Sequence, residues 1–279
     1  MTRWALFVVG LFAGCTRGER RVGSIPEVPE PRPALPPPAA ASDAGGLERD
    51  AKLVLAIPAR AQAREAPKAG WCGETAIQEG LLHLGAWAPQ RLINAAGRPS
   101  HPDLYSPDIP VALTELGVRH TFYASRRGFD AFARWVRAAL EEGDPVLAGV
   151  KILPTAHPEW GLDHFVLVVG HGDKGLLVNT TWGTREWVSD TRTPGLSLAN
   201  AFYGIRLSGL SLPPGAIPAR LTVIEEGDEV VKLRVDCRGA KAAAPHRLGP
   251  RGDRAVAVDD EVTIDARVPA RFHCTPQRD

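Results

Sequence analysis

The spacing of apolar residues changes character part-way along the chain, and that change predicts the fold class. Between residues 72 and 84, Ala76, Ile77, Leu81 and Leu84 recur on helical spacing and stop at Gly85. Ser106 is expected to cap a second helix running through Pro110, Leu113 and Leu116, and Phe129, Phe132, Val136 and Leu140 define a third that ends at Gly143. Past residue 145 the period becomes two, or the apolar residues run together. Strands are predicted at 146–153, 165–169, 176–179 and 184–188, with a turn at 170–175 and a closing strand at 203–207. A helical half followed by a β half predicts an α+β domain. After Leu212-Pro213-Pro214-Gly215, which reads as a boundary, alternating segments at 221–224, 230–235, 255–258 and 262–268 predict a small β-rich C-terminal module.

The first residues follow a different logic. Met1, Thr2 and Arg3 form a short basic start, residues 4–12 are apolar, and Ala13-Gly14 stands directly before Cys15. This resembles a bacterial lipoprotein signal, which implies cleavage after residue 14, a lipid on Cys15 and a place in the cell envelope, on the outer membrane or its periplasmic face. Residues 24–46 are rich in proline and alanine and poor in large apolar groups, so they read as a tether. The expected organisation is a signal at 1–14, a tether at 15–48, a folded domain at 49–213 and the module at 214–279.

Composition narrows the function. Thirty-three Lys and Arg against 32 Asp and Glu leave a formal charge of +1, which gives no general field for a polyanion, so nothing supports a nucleic-acid partner. Beyond residue 14 no apolar run approaches the roughly 20 residues of a membrane-spanning helix.

Four cysteines are present. With Cys15 assigned to lipid, Cys237 and Cys274 read as one disulfide in an oxidising compartment, which leaves Cys72 inside Gly70-Trp71-Cys72-Gly73. A thiol at a helix start meets the positive end of the helix dipole, which favours the attacking thiolate. Glu74, in the first turn, reads as a solvated acid that complements the dipole. A nucleophilic cysteine needs a base. Among eight histidines, His164 opens the apolar run 165–169, and a strand can hold an imidazole rigidly. His171 ends that run, and an odd separation of seven puts it on the opposite face of a regular strand. Asn179, across the predicted hairpin, is expected nearly opposite His164, where an amide can fix the ring's tautomer.

The order Cys72, then Asp163-His164-Phe165-Val166-Leu167-Val168-Val169-Gly170, then Asn179-Thr180-Thr181-Trp182-Gly183 resembles the papain-like cysteine peptidases, and the Gly70-Trp71-Cys72-Gly73 start is closest to their C39-like branch. The likeness spans roughly residues 53–207. It implies a two-lobed fold with Cys72 on a central helix and His164 and Asn179 on the sheet. It also implies an amide donor to the oxyanion, for which Gln62 is the nearest glutamine upstream. The stretch after Asn179 has one residue more than the family's asparagine-serine-tryptophan-glycine run. The implied activity is hydrolysis of peptide or amide bonds in a peptide or protein substrate, through a thioester and without cofactor or metal; neither His-Glu-x-x-His nor paired Cys-x-x-Cys occurs. Two other readings stay open: acyl transfer to an amine or cleavage of cell-wall amides, and a binding lipoprotein that has lost activity.

Overall fold

The computed structural model describes residues 44–68, 70–124, 128–156, 158–188, 197–198, 202–237, 243–249, 252–255 and 261–276. The signal, Cys15 and the tether up to residue 43 lie outside the described residues, as does His157. In chain order the elements are α1 (Ala44–Arg49), β1 (Ala51–Val54), α2 (Cys72–His83), β2 (Ala86–Trp87), α3 (Gln90–Gly97), α4 (Asp108–Glu115), β3 (Val118–Phe122), α5 (Phe129–Glu141), β4 (Val146–Val150), β5 (His164–Gly172), β6 (Gly175–Asn179), β7 (Arg185–Val188) and β8 (Gly204–Leu210). The C-terminal part adds β9 (Ile217–Pro218), β10 (Arg220–Glu226), β11 (Val230–Asp236), β12 (Ala243–Gly249), β13 (Gly252–Ala255), β14 (Glu261–Asp265) and β15 (Ala270–Pro276). The fold is α+β, with helices gathered early and antiparallel sheets later.

A seven-stranded sheet in the order β3-β8-β4-β5-β6-β7, with β1 alongside the far half of β5, forms the main layer. All nine residues of β5 are buried, as its continuous apolar run requires of a strand covered on both faces. Helix α2 packs against β5 on one side and against β2 and β10 on the other, so all twelve of its residues are buried. This explains its weak apolar stripe. A helix enclosed all round has no solvent face, and its polar residues must find partners inside. Gln78 donates to Ala88 O at 2.9 Å, Glu79 accepts from the Arg60 amide at 2.7 Å, and His83 Nε2 meets Gly143 O at 2.8 Å.

Several expectations are corrected. The strand expected at 146–153 stops at Val150. There the buried Lys151 turns its ammonium to the Asp163 carboxylate at 3.3 Å and to Trp160 O at 3.0 Å, so the chain leaves the sheet. Ser106 does not cap α4. The helix starts at Asp108, whose carboxylate accepts the Tyr105 amide at 2.8 Å, while Ser106 O receives the Tyr203 hydroxyl at 3.0 Å. Residues 44–48, expected in the tether, belong to α1, which the Glu48–Arg185 ion pair holds beside β7. Of the segment expected at 255–258, Ala255 ends β13 and 256–260 lie outside the described residues.

The module does not stand apart at residue 214. Its three-stranded sheet is β10-β11-β14, and its other sheet runs β13-β12-β15-β2, with β9 also on β15, so β2 of the preceding half completes it. Leu82 and Trp87 sit in the module's own core with Leu221, Leu233, Ile264 and Phe272. The described residues all fall within one compact unit. Cys237 and Cys274 form a disulfide with their Cα atoms 5.7 Å apart.

Candidate active site

Cys72 is the first residue of α2, 5% exposed and outside any disulfide. The two glycines beside it have steric reasons to be there. Gly70 has φ +90°, and a Cβ on it would lie 2.8 Å from Gln62 Oε1; a Cβ on Gly73 would lie 2.7 Å from Ile109 Cδ1. The first lets Gln62 close over the backbone before the helix, and the second lets the helix start seat against the wall of a cleft.

That cleft, of about 430 Å3, is lined by Cys72 together with residues 103–106, 160–163 and Phe165. Its walls are largely apolar, with Leu104, Leu162 and Phe165 inside and the partly exposed Tyr105 and Trp160 at the rim. The 160–163 segment is fixed from below, because Asp163 accepts the amides of Ile152 and Leu153 at 2.8 and 3.1 Å and pairs with Lys151. Asp163 therefore serves the loop and not His164.

His164, the first residue of β5, is 2% exposed. Its Nε2 lies 3.1 Å from the Thr181 hydroxyl oxygen, and its ring lies tilted against Trp182 with centroids 5.3 Å apart at 31°. The Thr181 hydroxyl also accepts Gln62 Nε2 at 3.1 Å, Gln62 N donates to Thr181 O at 2.9 Å, and Gln62 Oε1 accepts the Trp71 amide at 2.6 Å. A continuous path of hydrogen bonds thus runs from the imidazole through Thr181 and Gln62 to the residue immediately before Cys72. The structure brings Gln62 and His164 together beside the N-terminus of α2.

Asn179 is not part of this path. It is fully buried and opposite Leu167 in the sheet, donates to Ile57 O at 2.7 Å and accepts Arg185 Nε at 3.0 Å. The expectation that it faces His164 fails on hairpin length. The turn spans only residues 173–174, since Gly172 pairs with Gly175, and the register shift between Val168 and Gly170 brings Asn179 only one residue nearer, opposite Leu167. The residue that reaches the ring comes two positions later. Thr181 was missed by sequence reasoning, and the extra residue between Asn179 and Trp182 was the available signal.

His171 is kept from the site by distance along β5: seven residues at about 3.3 Å each is about 23 Å. The register irregularity means that simple alternation does not extend that far. His171 faces the α5 side, where burial and, secondarily, the Arg137 charge hold its pKa below the ordinary value.

Glu74 corrects a further expectation, because it is wholly buried. Its Oε1 accepts Asn94 Nδ2 at 2.7 Å and the Leu104 amide at 3.0 Å, tying α2 to the cleft wall. Burial pushes its pKa up to about 7. Glu79, one turn further on, is raised well above the carboxylate range by the same cause. No group of three or more His, Cys, Asp or Glu side chains among the described residues is arranged to hold a metal ion.

No protein-family model matches the chain, and no curated protein matches it. Among solved structures, a candidate C39-like peptidase of Bacillus anthracis aligns with a TM-score of 0.38 and 12% identity, over 57% of this chain and 98% of that one.

Proposed function

We propose that this protein is a thiol hydrolase of peptide or amide bonds, with Cys72 as nucleophile and His164 as its base. The observation that carries the proposal is the hydrogen-bond path from His164 through Thr181 and Gln62 to the amide of Trp71, the residue before Cys72, which itself lines a cleft. A buried imidazole held by a side-chain hydroxyl against an indole, linked by hydrogen bonds to the residue before a cysteine at a helix start, suits a nucleophile, base and orienting-group arrangement.

In this reading His164 takes the thiol proton and the Cys72 sulfur bonds to the substrate carbonyl carbon. The oxyanion is met by donors at the start of α2 and by an amide hydrogen of Gln62. The imidazolium then gives its proton to the leaving nitrogen as the C–N bond breaks. Water, deprotonated by His164, cleaves the thioester and returns the thiolate. Thr181 replaces Asn179 as the group that orients the ring. A hydroxyl can accept from Nε2–H, leaving Nδ1 as the base, and it is already positioned by the Gln62 amide.

The deciding experiment is labelling with a thiol-directed acyl probe. Wild type should label at Cys72, and Cys72→Ala and His164→Ala should not; a folded wild-type protein that does not label would favour the binding-lipoprotein reading. We also retain the lipid at Cys15 and an envelope location, supported by the apolar stretch 4–12 and Ala13-Gly14. Cys15→Ser should move the protein to the soluble fraction, and membrane retention after a high-salt wash would remove the anchor.

A further inference from the structure

A second depression, of about 800 Å3, lies where the C-terminal module meets the preceding half. One wall is the 59–65 segment, including Gln62. The floor holds the buried side chains of Gln78, Trp87 and Gln90. The opposite wall comes from the module, at residues 226–228 and 266–267.

This groove is built, not a loose seam. Trp87 Nε1 donates to Ala266 O at 3.1 Å and Arg91 donates to Arg267 O at 3.0 Å, so two bonds tie the floor and near side to the module. Arg60 spans the gap, paired with Glu226 on the module and lying over the Trp87 ring at 5.7 Å. Its other atoms are held from below by Gln78 at 2.8 Å and Glu79 at 2.7 Å. A preformed cavity of this size lies within the range of ligand sites, about 300–1,000 Å3.

The lining states the ligand chemistry. The floor amides of Gln78 and Gln90 are bonded within the protein and hold the groove's shape, while rim charges of both signs suit a polar chain, in contrast to the apolar walls of the Cys72 cleft. Arg64, Glu65 and Asp228 are exposed at the rim and make no hydrogen bond or ion pair among the described residues, so their charges are uncommitted. Gln62 links the groove to the residues around Cys72. It lines the groove, and its amide atoms bind Trp71 N, next to Cys72, and Thr181, the partner of His164.

We propose that the groove receives a polar stretch of an unfolded polypeptide substrate flanking the segment that enters the Cys72 cleft, and that the module is one wall of the substrate site. The catalytic meaning of this rests on the thiol-hydrolase reading; the binding itself does not.

The test uses the full chain carrying Cys72→Ser, so that turnover plays no part, and fluorescein-labelled, reduced and carboxymethylated α-lactalbumin, an acidic unfolded polypeptide, read by anisotropy at low salt. Arg64→Glu should weaken binding about fivefold and Asp228→Lys should tighten it about twofold, whereas Arg98→Glu, outside the groove, should change it less than about 1.5-fold. Opposite signs at two rim positions cannot come from misfolding. No binding at about 100 μM, or equal binding by all three variants, overturns the groove. Acyl-probe labelling of the wild-type thiol reports separately on the catalytic reading: the charge pattern without labelling removes the enzyme and keeps the groove, and labelling without the charge pattern does the reverse.

Discussion

The Thr181 hydroxyl lies 3.1 Å from Nε2 of His164, and the same oxygen accepts the amide of Gln62. One small side chain therefore couples the proposed base to the proposed oxyanion donor. Thr181→Val keeps the shape and removes the hydroxyl, so it should slow acylation of Cys72 by on the order of 10- to 100-fold and shift its pH profile, while Thr181→Ser restores most of the rate. A Thr181→Val protein that acylates at the wild-type rate would remove the orienting role.

Asn179 should behave in the opposite way. Its bonds go to Ile57 O and Arg185, so Asn179→Ala is expected to cost about 1–3 kcal/mol of stability in urea unfolding by leaving buried polar groups short of a partner. At a temperature where the variant is folded, the Cys72 labelling rate should stay within about threefold of wild type. A large rate loss with unchanged stability would reinstate Asn179 beside the imidazole.

Glu74 makes stability pH-dependent. Its pKa is raised to about 7 when folded from 4.5, so the folded state holds a proton that the unfolded chain releases over that interval. Stabilisation is therefore complete below about pH 4.5 and is lost as the pH climbs through 7, by about 3 kcal/mol. Glu79 adds in the same direction. Glu74→Gln, which keeps an acceptor for Asn94 and Leu104, should flatten the slope between pH 5 and 8 in urea titrations; an unchanged slope would show that Glu74 is not its source.

Lys151 and Asp163 are both wholly buried at the side chain. Removing one charge strands the other, so Lys151→Met should destabilise by about 3–5 kcal/mol, measured by chemical denaturation. Because Asp163 also holds the amides of residues 152 and 153, the 160–163 wall of the cleft should lose protection from amide exchange before the rest of β5 does.

The disulfide closes the module between β11 and β15. Its loss in Cys237→Ser should lower stability by about 2–4 kcal/mol, with acyl labelling of Cys72 unaffected below the transition. Because β2 lies in the same sheet as β15, unfolding of that sheet should expose Trp87 and give a fluorescence change concurrent with it.

The sequence by itself determined what depends on near neighbours. Helices at 72–83, 108–115 and 129–141, the buried strand from His164, the α+β order and the Cys237–Cys274 pairing are all legible, because helical period, continuous apolar runs and cysteine arithmetic are local signals. Cys72 and His164 could be named for the same reason, each standing at a recognisable element boundary, whereas Gln62 was implied only by the family resemblance. Tertiary structure alone decided which groups meet. One tight turn in the β5–β6 hairpin exchanges Asn179 for Thr181 at His164, since it leaves Asn179 opposite Leu167, three residues short of His164. Glu74 reads as a surface acid until α3 and the cleft wall at Leu104 close over it and raise its pKa by burial. The module reads as separate until β2 joins its sheet, because pairing between strands more than 180 residues apart leaves no mark on local periodicity.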